Sequence, residues 1–333
     1  MKNRVFKIIT VIFKIVVAVF LVVTLNRIFI PKYINENRDG RITGEYYSFA
    51  PCADVVFAGS STVYSDVCPD VLWDEEGISS YVRANASQPV WISYYMVEDA
   101  VKCHKPELVC LDMTFAKYDD DFVEEPSTRK SLDGMRLSPS KINCALASMG
   151  EDEKLIEYIV PLFRFHTRWK ELTWDDIKYA WYFGKVTDNG FIDDTNVNGI
   201  EDTELVYSTD DRRLSPKNIE YIEKTIDLCL DNDIRIMLMK TPAHSANWTD
   251  SLDEDIQEIA DRYGIEYINF DKYNDDIGLD YSTDTPDEGS HLNTSGAVKF
   301  SKYLAHILRE DYSPSDRRTD KKYVKRWEKI ENR

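Results

Sequence analysis

The sequence predicts an α/β fold: a three-layer α/β/α domain with a five-stranded parallel sheet, a helical insertion and one N-terminal transmembrane helix. Short apolar runs rich in β-branched residues alternate with stretches whose apolar residues recur at helical spacing. This alternation predicts a parallel sheet, because parallel strands need a crossover connection, which is usually a helix. A long apolar stretch near the N-terminus adds the transmembrane helix.

The first half of the domain is predicted to hold three strands and two helices. Apolar runs predict the strands at 54–58, 80–84 and 107–112. Apolar residues at helical spacing predict the helices at 72–76 and 89–104. Gly59 ends the first strand, and Pro106 precedes the third.

The α/β pattern is interrupted over about 117–215. This stretch is rich in helix formers, contains Trp169, Trp174 and Trp181, and ends in a polar region with glycines. It predicts a helical insertion over the functional site. The alternative is that its aromatic residues pack a small core of their own, which is the more common use of tryptophan.

The pattern resumes after Pro216 with the remaining elements, which are helices at 217–232, 253–263 and 295–309 and strands at 234–239 and 265–270. The five strands predict a flavodoxin-like order in a domain spanning 54–312. A polar stalk is expected at 31–53. The charged tail, 313–333, is expected to be a solvated, frayed helix, with contact to an anionic polymer or lipid surface as the alternative.

Residues 1–30 are predicted to be a membrane anchor. The apolar stretch 5–25 would be about 31 Å long as a helix, which is enough to cross the hydrocarbon core. Lys2, Arg4 and Lys7 lie at its start, so the positive-inside rule places the N-terminus in the cytoplasm and the domain outside. A cleaved signal peptide is the alternative, although no small-residue cleavage site follows the stretch.

Composition narrows the range of partners. The 333-residue chain is 43% apolar, enough for a large core, and has a formal net charge of -18. This charge argues against nucleic acid, whose phosphates require a basic face, and fits a sugar or a small ester. The six cysteines include no Cys-x-x-Cys pair and no spacing that pairs with histidines, so a zinc site is not expected. No other metal and no cofactor are expected either. A disulfide between Cys52 and Cys68 stays open.

Two segments carry residues suited to catalysis, and the first follows the first strand. There the chain reads Gly59-Ser60-Ser61-Thr62, and ligands of open parallel sheets bind at the carboxyl ends of strands. A serine at this turn is well placed as a nucleophile, with helix N-terminal amides available to an oxyanion. An ordinary helix N-cap is the alternative.

The second segment precedes the last predicted helix of the domain and contains Asp287, Glu288 and His291. A serine nucleophile needs a base, and a histidine base needs a carboxylate that fixes its tautomer. This one short loop supplies both groups. A surface histidine in an acidic loop is the alternative.

Together the two segments resemble the SGNH/GDSL hydrolases, and more closely their membrane-anchored branch of the DltD and alginate-acetylation type, over about 54–310. The resemblance implies that Ser61 is the nucleophile and His291 the base. The acid of that family usually lies three residues before the histidine, where this chain has Glu288. Asp287 is favoured because it is the usual type of acid, and Glu288 stays the alternative.

The chain departs from the family at three motifs. The usual Gly-Asp-Ser-Leu is Gly-Ser-Ser-Thr at 59–62, and the glycine of the second block and the Gly-x-Asn-Asp of the third have no counterparts. The oxyanion hole is therefore expected to use the Ser61 backbone amide and the Asn85 side chain. Trp248 and His244 are weaker candidates for substrate binding, and Ser60 is the alternative nucleophile.

The resemblance implies an extracytoplasmic serine esterase or O-acyltransferase that acts through an acyl-enzyme on acyl, in the first instance acetyl, esters of an envelope polysaccharide. It also implies a membrane-bound O-acyltransferase as a partner. A catalytically degenerate domain that binds polymer or scaffolds such a partner is the second hypothesis, and an unrelated α/β envelope receptor is the third.

Overall fold

The N-terminal helix projects from the domain. The computed structural model describes residues 2–181, 186–201, 207–244 and 247–331, and its first helix, α1 (Lys2–Phe29), contains the apolar span. Within Arg4–Phe29, an 18-residue window has a mean hydropathy of 2.9 and is 0% buried, and the helix is long and apolar enough to cross a membrane. A core helix would bury one apolar face, so this exposure suits a lipid surrounding.

The segment expected to be a stalk is instead largely part of the domain. It contains helix α2 (Asp39–Phe49), which packs on the second strand of the sheet and buries Ile42, Tyr46 and Phe49. These three residues recur at helical spacing, so they form one apolar stripe that the polar residues between them obscure in the sequence. The Tyr81 hydroxyl donates to the Ile42 carbonyl over 2.8 Å and fixes the helix to that strand.

The sheet confirms the predicted α/β class. Its strands are β1 (Val55–Gly59), β2 (Ser80–Ala84), β3 (Leu108–Asp112), β4 (Arg235–Lys240) and β5 (Glu266–Asn269). All pairs are parallel, and the order is β2-β1-β3-β4-β5, which is consistent with a flavodoxin-like fold. The order reverses between β1 and β3, so the crevice at their carboxyl ends is where a ligand is expected.

The remaining α-helices fall into three groups along the chain. Those between the first strands are α3 (Ser61–Asp66), α4 (Pro69–Glu76) and α5 (Val90–Cys103). Those of the insertion are α6 (Glu125–Asp133), α7 (Pro139–Ser148), α8 (Leu155–Ile159), α9 (Leu162–Phe165) and α10 (Trp174–Lys178). Those of the second half are α11 (Pro216–Leu230), α12 (Asp250–Tyr263), α13 (Asn274–Ile277), α14 (Thr294–Ile307) and α15 (Lys321–Glu331).

Two cores lie on opposite faces of the sheet. One is built with α5, α11 and α12, and the other with α3, α4 and α14. Strand β3 shows the division, because Leu108 and Cys110 join the second core whereas Val109 and Leu111 join the first. Side chains alternate along a strand, so a continuous apolar run buries both faces.

The tryptophans of the insertion lie at the surface of the protein. Helices α9 and α10 pack against α1, and Trp169, Trp174 and Trp181 are exposed, so they do not form a core of their own. A different part of the insertion does flank the catalytic segment. The amide of Thr294 donates to the Asp194 carbonyl over 2.7 Å, and that of Asn198 donates to the Thr285 carbonyl over 3.0 Å.

The charged tail is a packed helix rather than a frayed one. In α15, Trp327 stacks on Trp73 with ring centroids 4.8 Å apart, and its indole donates to the Ser79 hydroxyl over 3.1 Å. Tyr323 donates to Asp54 over 2.8 Å. Tyr323 and Trp327 are four residues apart and therefore lie on one side of α15. Their burial at the amino ends of β1 and β2 stabilises the packed helix despite the many charged residues around them. All six cysteines are free thiols, including Cys52 and Cys68.

Candidate active site

The serine turn follows directly from the end of β1. Ser60 is the N-cap of α3, with φ -107° and ψ -158°, and Ser61 is its first helical residue. A Cβ at Gly59 would lie 2.6 Å from the Asp112 Cβ and 2.5 Å from a Val63 methyl, so only glycine fits between β3 and α3. Because glycine allows β3 and α3 to approach each other this closely, the serine turn lies at the place in the sheet where the strand order reverses.

The two serines point to different surroundings. Ser60 is buried, and its hydroxyl has no hydrogen-bond partner among the described residues. Ser61 is half-buried, and its Oγ lies 2.8 Å from His291 Nε2. The arrangement of the side chains therefore favours Ser61 over Ser60 as the nucleophile.

The histidine is held by one carboxylate at two points. Asp287 Oδ2 lies 2.5 Å from His291 Nδ1, and Asp287 Oδ1 accepts the His291 amide over 2.9 Å. A carboxylate at Nδ1 favours the tautomer that carries its proton there, which leaves Nε2 as the acceptor facing Ser61. The three side chains thus form a serine–imidazole–carboxylate relay.

The loop that presents Asp287 is organised by Thr285. The Thr285 hydroxyl accepts the amides of Gly289, over 2.7 Å, and Asp287, over 3.3 Å. Glu288 has a φ of 57°, and its side chain is exposed while its amide donates to the Asn198 carbonyl over 2.9 Å. The structure therefore brings Asp287 to the ring and turns the alternative acid, Glu288, toward solvent.

His244 lies beside this loop through its backbone. Its amide donates to the Gly289 carbonyl over 2.7 Å, and a Cβ at Gly289 would lie 2.5 Å from the His244 Cβ. The imidazole ring of His244 packs edge-on against Tyr281, with centroids 5.6 Å apart. The residue thus lies at the edge of the segment that holds Asp287 and His291.

Two of the predicted site residues do not fit their predicted roles. Asn85 is buried, and its amide nitrogen donates to Thr43, over 3.2 Å, and to Gln88, over 3.3 Å. Both of its amide hydrogens have internal acceptors, so neither is directed to an oxyanion. Trp248 is only 1% exposed, so its indole is a core side chain and offers no face on which a sugar could stack.

Asp66 is a site residue that sequence reasoning missed. It lies at the last position of α3, is completely buried, and accepts the Leu292 amide over 2.9 Å. This bond ties the serine helix to the residue after His291. Burial, with the charges of Asp112 and Asp287 nearby, raises the pKa of the Asp66 carboxyl well above its usual value. No spacing in the sequence marks this contact, because it joins positions far apart.

Asp112 and Lys117 complete the carboxyl edge of the sheet. The Asp112 carboxylate accepts hydrogen bonds from the amides of Thr114 and Thr241, each over 3.1 Å, and so links the carboxyl ends of β3 and β4. Burial raises the pKa of the Asp112 carboxyl. Burial and the nearby Lys240 lower the pKa of Lys117 to about 8. The position of Asp112 at a strand end was the signal that could have identified it.

Comparison with known proteins gives no assignment. No protein-family model matches the chain, and no curated protein matches its sequence. The SGNH/GDSL resemblance therefore rests on its motifs, and function must be argued from the site itself.

Proposed function

We propose that the chain is a membrane-anchored, extracytoplasmic serine esterase or O-acyltransferase of the SGNH type that acts on acyl esters of an envelope polysaccharide. The relay of Ser61, His291 and Asp287 is the single observation that carries the proposal. The membrane-spanning length of α1 supports anchoring. The acidic chain, at a net charge of -18, suits a neutral sugar better than a polyanion.

The proposed reaction is a double displacement. His291 Nε2 accepts the Ser61 proton while Oγ attacks the ester carbonyl carbon, and Asp287 stabilises the imidazolium. The Ser61 amide, at the start of α3, donates to the oxyanion. The tetrahedral intermediate expels the alcohol, which takes the proton from His291. Water or a sugar hydroxyl, deprotonated by His291, then attacks the acyl carbon. The bond from this carbon to Ser61 Oγ breaks, Oγ takes the proton back from His291, and the carboxylic acid or the acylated sugar leaves.

Labelling with a fluorophosphonate tests the nucleophile. The full chain in detergent is expected to react at Ser61, and Ser61→Ala is expected to abolish the labelling. Ser60→Ala is the matched control, because it removes a neighbouring hydroxyl that lacks a partner, and it is expected to remain labelled. Labelling that persists in Ser61→Ala would assign the reaction to another residue.

A second function is favoured by the engaged amide of Asn85. Of the two expected oxyanion donors, only the Ser61 amide then remains, which fits a domain that binds acylated polymer or scaffolds a membrane-bound O-acyltransferase. This function predicts no labelling of the wild type under conditions that label a reference serine esterase. It also predicts retained polymer binding in Ser61→Ala.

A further inference from the structure

A group of large apolar side chains is exposed on the insertion. Phe163 is 59% exposed, Trp169 63%, Trp174 73%, Ile177 50% and Trp181 51%. We call these five residues the aromatic surface. They come from α9, α10 and the turns beside them, and these elements contact α1. So many exposed large apolar residues within the one stretch 163–181 are typical of an interaction site rather than of a solvated surface.

The aromatic surface is fixed to the end of α1 by direct contacts. The Trp181 ring stacks on Phe20 at 5.7 Å and 12°, and the Arg27 guanidinium lies 4.4 Å from the centre of the same ring. Asn26 accepts the Leu162 amide over 2.9 Å, and Arg168 donates to the Phe29 carbonyl. The insertion is therefore seated on the last turns of the helix that is apolar enough to cross a membrane.

These contacts place the aromatic surface at a defined level. Phe20 lies before the end of the apolar stretch, so Trp181 reaches about 7 Å inside it. Asn26, Arg27 and Phe29 lie at or beyond that end, where the headgroups begin. Tryptophan is enriched at this level, because its ring is apolar and its indole N–H still finds polar partners.

The charges of the segment favour a neutral lipid surface. Residues 162–181 contain four basic and three acidic side chains, Arg164, Arg168, Lys170 and Lys178 against Glu171, Asp175 and Asp176. Arg168 and Asp176 also pair with each other at 3.1 Å. An almost balanced segment gains little from an anionic surface, so apolar insertion of the rings is the main attraction.

We propose that residues 162–181 lie in the interface of the phospholipid bilayer that α1 crosses, with Trp169 and Trp174 inserted beside the helix. The inference rests on the membrane anchor of the proposed function but not on its chemistry. Two elements, α1 and residues 162–181, then hold the domain at the membrane, which restricts its orientation more than a single helix would.

Quenching by brominated lipid tests this placement. The full chain is reconstituted in nanodiscs of phosphatidylcholine brominated near the headgroup end of its acyl chains. Of the seven tryptophans, four are buried at 8% exposure or less, at positions 73, 91, 248 and 327. The quenched fluorescence therefore reports on the other three. The double variant Trp169→Phe/Trp174→Phe is expected to lose about two thirds of the quenched signal and Trp181→Phe about one third.

The controls separate the possible failures. Trp73→Phe, at a buried position, is expected to leave the quenched signal unchanged. A different result would contradict the inference: the double variant is quenched like the wild type, while Trp181→Phe abolishes quenching. The helix would then be in the bilayer and Trp169 and Trp174 would not, and the aromatic surface would be left to bind a protein partner. If the chain does not enter nanodiscs, the anchor itself is wrong. Fluorophosphonate labelling is read independently of both results.

Discussion

At the scale of single residues, the site depends on which of two adjacent acids meets the histidine. The left-handed backbone at Glu288, with a φ of 57°, turns that side chain outward, and Asp287 receives both the ring and the amide of His291. Sequence spacing could not separate the two acids, because they differ by one position in a loop whose turn is set by Thr285 and Gly289.

Asp287→Asn tests this distinction. The amide can no longer stabilise the imidazolium and can favour the wrong tautomer, so the rate of ester hydrolysis is expected to fall on the order of 10³- to 10⁴-fold. Steady-state hydrolysis of p-nitrophenyl acetate measures it. Glu288→Gln is the matched control and is expected to keep the wild-type rate. An equal loss in both variants would contradict the assignment of Asp287.

Asp66→Asn tests the buried carboxyl under the catalytic loop. The pKa of Asp66 is raised in the folded protein, so the folded carboxyl keeps its proton at pH values where the unfolded chain, with a pKa of about 4, has released it. Between these two pKa values the folded state binds more protons than the unfolded state. The free energy of unfolding therefore falls as the pH rises through this range. The Asn variant is expected to lose this contribution, which amounts to at most about 1.4 kcal/mol per pH unit.

Denaturant unfolding of the full chain in detergent at a series of pH values measures the effect. Relative to the wild type, Asp66→Asn is expected to become more stable as pH rises. The exposed Asp261→Asn serves as the matched control. Parallel pH profiles for Asp66→Asn and the wild type would show that Asp66 is not protonated in the folded protein.

At the scale of elements, the junction of β1 and α3 permits no side chain at Gly59. Gly59→Ala would place a methyl group against Asp112 and Val63, and it is expected to lower the free energy of unfolding by about 1–3 kcal/mol. Because the turn also aims Ser61, fluorophosphonate labelling should slow as well. Gly150→Ala, whose added methyl group would meet only ordinary contacts at 3.5 Å and beyond, is the control for both measurements.

Helix α15 shows a tail that stabilises the domain. Trp327→Ala removes the ring that stacks on Trp73 and is expected to cost about 3–5 kcal/mol, measured by denaturant unfolding. Lys325→Ala, on the exposed side of the same helix, should change the free energy of unfolding by less than about 0.5 kcal/mol. A small effect of Trp327→Ala would mean that α15 detaches in solution.

At the scale of the whole molecule, the proposed topology places the N-terminus of α1 and the domain on opposite sides of the membrane. Cys103 is the exposed one of the six thiols, so it reports on the location of the domain. A membrane-impermeant maleimide added to intact cells is expected to label the chain, and Cys103→Ser is expected to abolish the labelling. Labelling only after permeabilisation would place the domain in the cytoplasm.

Local sequence patterns predicted the strands, the class of the sheet, the membrane-spanning length of α1 and the two segments that hold Ser61 and His291. These features are written in local periodicity and in the residues at strand ends, which act within a few positions of the chain. The packing of α2 and α15, the outward turn of Glu288, the contact of Asp66 with Leu292 and the engagement of Asn85 were decided only by the tertiary structure. Each joins residues far apart or depends on a single backbone angle. The apolar stripes of α2 and α15 do recur at helical spacing, but the polar and charged residues around them obscure the pattern, and no local pattern indicates the partners on which these helices pack.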